Sequence, residues 1–115
     1  TKVEVNSWVN GTSSGGVPVA IGADSSAQWV DFAYVWEPGR LRYYINRKLV
    51  HTFTGTQVPS HPQLIIPMIW GSDTLTSWMG PFAYPGRPVT AQFDYVAYTA
   101  PGDDCQFAGS IACQA

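Results

Sequence analysis

From residue 2 to residue 9 the chain alternates strictly, with Val3, Val5 and Val9 on one side and Glu4, Asn6 and Trp8 on the other. A period of two belongs to a β-strand with one buried face. Residues 10–16, rich in Gly, Ser and Thr, read as a loop, and residues 17–21 as a short strand before a polar turn at 22–26. Residues 29–36 form the next expected strand, closed by the turn Glu37-Pro38-Gly39-Arg40, which carries Pro and Gly at fitting positions. Residues 41–45 and 49–53 pair across Asn46-Arg47-Lys48 as a hairpin. After a connection containing Pro59 and Pro62, residues 64–70 are almost wholly apolar. They read as a central strand, with Pro67 marking a bulge or an edge. A long loop, 71–87, carries Trp78, Phe82 and Tyr84, and residues 89–98 alternate again as the last strand. Helix signals are nearly absent. Seven strands punctuated by polar turns predict an all-β fold, an antiparallel β-sandwich.

Composition narrows the function. The 115 residues are 45% hydrophobic, 14% aromatic and only 12% charged, which excludes a disordered tail and a coiled coil. A net charge of −2, with six scattered Lys and Arg, argues against nucleic acid and against a polybasic membrane patch. No apolar run approaches the length of about 20 residues that a membrane span needs. The expected partners are therefore neither nucleic acid nor membrane. Cys105 and Cys113 sit close together near the end, where they form a local disulfide, remain as two thiols, or bridge to another segment. The lack of nearby His argues against zinc. An even count, together with the glycosylation acceptor pattern Asn10-Gly11-Thr12, points to an extracellular location.

Few charges beside many aromatic residues is a balance suited to neutral sugars, whose apolar C–H faces stack on indoles. Trp36, among apolar neighbours, is a core residue; Trp8, Trp70 and Trp78 stand beside Gly, Asn or Ser, where a ring is half exposed and either packs or meets ligand. Acid–base chemistry is poorly provided for. There are two glutamates, Glu4 and Glu37, and no Glu-x-Asp-x-Glu cluster. His51 and His61 lack partners at ligand spacing, and nucleophile-elbow, phosphate-loop and dinucleotide motifs are missing. Glu4, on one strand face with Asn6 and Trp8, is a hydrogen-bonding group before it is a catalyst.

The run Glu4-Val5-Asn6-Ser7-Trp8-Val9-Asn10-Gly11 resembles the strand that follows the catalytic motif in bacterial lichenases and other members of glycoside hydrolase family sixteen. The likeness continues through Phe32-Ala33-Tyr34-Val35-Trp36-Glu37-Pro38-Gly39, Leu41-Arg42-Tyr43-Tyr44-Ile45, Val58-Pro59-Ser60-His61-Pro62, Met68-Ile69-Trp70, Trp78-Met79-Gly80 and Ala91-Gln92-Phe93-Asp94-Tyr95-Val96. It covers residues 1 to about 99 in order.

The resemblance implies a concanavalin-like β-jelly roll of two curved antiparallel sheets, present as roughly its C-terminal half in residues 1–99, with residues 100–115 as a Cys-containing tail. It implies an activity on β-glucans with retention, and a catalytic Glu pair lying upstream of Thr1. Carried over, Glu4, Asn6, Trp8, Trp70 and Trp78 line the polysaccharide cleft, and Asp94 corresponds to a residue that in some members helps hold a structural calcium; no other cofactor is implied. Val30, Val35 and Met68 stand where many members carry His, Asp and Asn, and Asn46-Arg47 replaces an Asp-Gly turn. A lectin-like module that binds β-glucan without cleaving it, and a purely structural scaffold, are the alternatives. Half a jelly roll leaves open sheet edges, so the chain is expected to associate with the missing half or with a second copy.

Overall fold

The computed structural model describes residues 1–105 and 109–113; the expected tail at 100–115 lies partly outside them. The chain divides into two compact units, one of Thr1–Pro62 with Thr99–Ala115 and the other of Gln63–Tyr98.

The first unit carries all seven strands found among the described residues: β1 (Lys2–Val5), β2 (Trp8–Val9), β3 (Thr12–Ser13), β4 (Val17–Ala20), β5 (Phe32–Glu37), β6 (Arg40–Ile45) and β7 (Lys48–Thr54). They form three antiparallel sheets, β1–β4, β2–β3 and β5–β6–β7. The long strand expected over residues 2–9 is interrupted at Asn6 and Ser7, although the parity of its faces is kept. Val5 and Ser7 are buried and Val3 and Val9 partly so, whereas Glu4 and Trp8 are exposed.

Three tight turns set the registers. Asn46 and Arg47 both adopt left-handed backbone (φ 46° and 69°), the type I′ geometry that matches the twist of a two-residue hairpin. Asn46 also extends the β5–β6 ladder, because its Oδ1 accepts the Asp31 N–H at 3.0 Å and its own N–H donates to the Asp31 carbonyl at 2.9 Å. Between β5 and β6, Pro38 fixes the first central position and Gly39, at φ 74°, supplies the positive φ of a type II turn. The third turn corrects the expected loop at 10–16. Asn10 and Gly11 (φ 50° and 76°) close a third hairpin, β2–β3, inside it.

The core joins the β1–β4 sheet to the β5–β6–β7 sheet as two layers. Val5, Leu41, Phe53 and Val58 are buried together, with Val3, Val17, Val19, Trp36 and Tyr43 packed against them. Phe53 is 2% exposed and meets Tyr43 edge-on at 6.0 Å and His51 at 4.5 Å between ring centroids. Trp36 donates its indole N–H to the Pro59 carbonyl at 2.8 Å, tying β5 to the segment after β7. A bulge at Val50 shifts the β6–β7 register between Tyr43 and Tyr44.

The second unit departs from expectation. Residues 64–70 and 89–98 form no strand, and no residue from 63 to 98 is buried. Leu64 is 83% exposed, and Ile66, Met68, Val89, Phe93 and Tyr95 are each more than half exposed. The local pattern supplies strand tendency, but a strand also needs a partner ladder for its N–H and C=O groups. These segments have the first without the second. The one regular element is a single turn, α1 (Thr76–Met79).

Phe53→Ala should destabilise the protein by about 3 kcal/mol, the cost of a large cavity in a small core. Arg47→Gly should stabilise it by about 0.5 kcal/mol, since relief of left-handed strain exceeds the entropy that Gly adds. Urea denaturation followed by Trp fluorescence measures both; an unchanged midpoint for Phe53→Ala would mean that this ring is not the centre of the core.

Candidate functional site

On the exposed side of β1 and β2 stand Glu4, Asn6 and Trp8, brought together by strand alternation. Asn6 is the pinned member. Its Nδ2 donates to Ser13 Oγ at 2.9 Å, that hydroxyl donates to Asn6 Oδ1 at 3.1 Å, and Oδ1 also accepts the Ser7 N–H at 2.8 Å. The Asn6 carbonyl accepts the Tyr43 hydroxyl at 2.8 Å, and Ser7 Oγ donates to the Gln57 carbonyl. Burial, with a smaller contribution from Tyr34, pushes the Tyr43 hydroxyl above the usual tyrosine range, so it stays protonated as a donor at neutral pH. One amide hydrogen of Asn6 remains for a ligand.

Trp8 pairs with Ser13 across the β2–β3 hairpin and is 60% exposed, so its ring offers a face to solvent. Ser13 and Tyr43 are supporting residues that sequence reasoning missed. The Asn10-Gly11 pair was the available signal, because its turn folds Ser13 back onto Asn6. Asn10 itself sits exposed at the tip of that turn. A shallow hollow of about 390 Å³ lies beside the hairpin, lined by Val9, Thr12, Ser13, Ser14, Thr56 and Gln57. Its lining has hydrogen-bonding groups but no ionisable side chain.

Trp70 and Trp78 belong to the second unit. Their ring centroids lie 6.0 Å apart with planes inclined at 38°, and the rings are 50% and 57% exposed. The loop between them is organised by Ser72, whose Oγ accepts the N–H groups of Thr74 and Leu75 at 3.1 Å each. The Leu75 carbonyl then accepts from Trp78 and Met79, which places Trp78 on α1. The structure thus groups Glu4 with Asn6 and Trp8, and Trp70 with Trp78.

Glu37 is occupied otherwise. Arg40 approaches its carboxylate at 2.6 Å and Arg42 at 3.2 Å. The hydrogen bond from Arg40, reinforced by both positive charges, holds the carboxyl below its ordinary range, the opposite of what a general acid requires. Asp94 is exposed in the second unit, and among the described residues no three His, Cys, Asp or Glu side chains converge. Cys105 and Cys113 are joined as a disulfide with Cα atoms 5.1 Å apart, and Ser110 between them is buried.

Comparison with known proteins places this arrangement. Residues 1–96 match the family model described as Glycosyl hydrolases family 16. An Endo-1,3-1,4-beta-glycanase, ExoK, of Rhizobium meliloti (strain 1021) is 43% identical over 114 residues, covering 98% of this chain and 42% of the relative. A Beta-glucanase of Paenibacillus polymyxa is 35% identical over 87% of this chain and 41% of the relative, and one of Bacillus subtilis (strain 168) 32% identical over 86% and 40%. The chain spans about two fifths of the length of these relatives.

Asn6→Ala should leave the buried Ser7 N–H without its acceptor, a loss of about 1–2 kcal/mol local to β1 and β2. Hydrogen exchange should show the Ser7 amide accelerated roughly tenfold with β5–β7 amides unchanged; uniform acceleration would mean that Asn6 supports the whole unit instead.

Proposed function

Because this chain belongs to family 16 of the glycosyl hydrolases, we propose that it is the C-terminal segment of a β-glucan-active hydrolase or transglycosylase, contributing part of the polysaccharide cleft. In this reading the nucleophile and the acid/base glutamates of a retaining mechanism come from a Glu-x-Asp-x-Glu strand outside these 115 residues. The observation that carries the proposal is the row of exposed Glu4, half-buried Asn6 and exposed Trp8 on one strand face, in a chain matched to the family over residues 1–96.

The chemistry of that row is recognition. The indole of Trp8 stacks on the C–H face of a pyranose ring, the spare amide hydrogen of Asn6 donates to a hydroxyl, and the Glu4 carboxylate accepts from one. Trp70 and Trp78 offer a second aromatic surface of the same kind. The exposed apolar residues of the second unit are the surface on which the rest of the family domain docks, supplying the ladders that residues 64–70 and 89–98 lack. The Cys105–Cys113 disulfide supports an extracellular setting.

The purified chain should release no reducing sugar from mixed-linkage β-1,3-1,4-glucan, and should do so once joined to a family segment carrying the Glu-x-Asp-x-Glu strand. In that assembly Trp8→Ala should raise KM about tenfold with a smaller change in kcat. Hydrolysis by the chain alone that disappears in Glu4→Gln would overturn this assignment of roles. Size-exclusion chromatography with light scattering should find the chain self-associated, or bound to the complementary segment when that is present. A well-folded monomer would refute the docking surface. If the encoded upstream sequence lacks the carboxylate strand while glucan binding persists, the lectin-like reading replaces the hydrolase.

A further inference from the structure

Most of the described glycines share one environment, and one stands apart from it. Gly11, Gly15, Gly22, Gly39, Gly55, Gly80, Gly86 and Gly102 all have positive φ, with open space where a side chain would stand. They serve backbone conformation. Gly16 is the reverse case. Its backbone is not left-handed, yet a Cβ built on it would fall on Cδ and Oε1 of Glu4 and 2.7 Å from its Cγ. What glycine provides here is space for the Glu4 side chain, rather than backbone freedom.

The strand register explains the placement. Glu4 pairs with Pro18 and Val5 with Val17, so Gly16 follows on the same sheet face as Glu4, one step along the diagonal. A side chain leaning along its strand reaches that diagonal position, and the missing Cβ leaves a notch for it. We propose that Gly16 is a positioning residue: its notch seats the Glu4 side chain, so that the carboxylate is held on the face it shares with Asn6 and Trp8 and presented there to a sugar hydroxyl. The sugar-binding half of this statement rests on the function proposed above. The seating half does not.

Because the clashing atoms are the far end of a flexible side chain, Gly16→Ala moves Glu4 and leaves the fold intact. Where the backbone is not left-handed, alanine also loses less chain entropy on folding than glycine, so the melting temperature should hold or rise. The chain has two glutamates, which makes the seating directly observable. With carboxyl-¹³C glutamate incorporated, the Glu4 resonance should move in Gly16→Ala while that of Glu37, bound to Arg40 and Arg42, stays in place. Affinity for a mixed-linkage β-glucan oligosaccharide, measured in the glucan-binding assembly, should fall about tenfold, the loss of one charge-assisted hydrogen bond. In a Glu4→Ala background the same Gly16→Ala change should have no effect on affinity.

A stationary Glu4 resonance overturns the proposal whatever the affinity does. An equal affinity loss in the Glu4→Ala background also overturns it, since Gly16 would then act on its own account. A moving resonance with unchanged affinity leaves the notch standing and removes Glu4 from the sugar, which defeats the binding role.

Discussion

A β-strand is completed only by another strand, because its backbone donors and acceptors point sideways and must be satisfied there. Every feature of this molecule follows from where that requirement is met. In the first unit the ladders β1–β4, β2–β3 and β5–β6–β7 close within the chain, and the two larger sheets bury Phe53, Leu41, Val5 and Val58 between them. In the second, residues of equal β-tendency have no ladder, and their side chains stay in solvent although apolar burial is the main favourable term in folding. Hydrophobicity alone does not fold a strand whose hydrogen bonds have nowhere to go.

The same requirement sorts the two sets of aromatic residues. Trp8 lies in a hairpin held by ladder bonds, by the Asn6–Ser13 pair and by the Tyr43 hydroxyl reaching across to the Asn6 carbonyl. Its ring is exposed on a braced backbone. Trp70 and Trp78 face one another across a loop organised by the Ser72 hydroxyl and one turn of helix. A surface meant to meet a ligand must already be ordered, or binding bears the cost of ordering it. The first group meets that condition within its own unit, through ladder bonds and the Asn6–Ser13 and Tyr43 contacts.

How far the sequence could be read follows from the range of the interactions involved. Alternation over residues 2–9 is local, and it correctly separates buried Val5 from exposed Glu4 and Trp8. The Pro38-Gly39 and Asn46-Arg47 turns are likewise local, and both hairpins are found where the pattern places them. The Asn10-Gly11 turn is equally local, and the Gly, Ser and Thr around it hide a hairpin within what reads as a loop. Residues 64–70 and 89–98 were not readable in this way, because their state depends on a ladder that no local pattern reports. The supporting groups were hidden for the same reason. Tyr43 lies 37 residues from the carbonyl it serves, and only the folded register brings them together.

The carboxylates give the last step. A retaining glycosidase needs one carboxyl kept protonated as an acid and another free as a nucleophile, about 5 Å apart. Glu37 is held ionised by two guanidinium groups on its own hairpin, and Glu4 lies along a strand face beside a glycine notch, with an amide and an indole for company. Neither environment is that of a paired acid and nucleophile. Both would suit the cleft wall proposed above, and orientation would then be a catalytic contribution, since fixing a sugar removes the entropy of finding the reactive pose. Under the function proposed above, a chain with two glutamates would be the positioning part of a hydrolase rather than a poor one, and its scarcity of charge would follow from the neutrality of what it would hold.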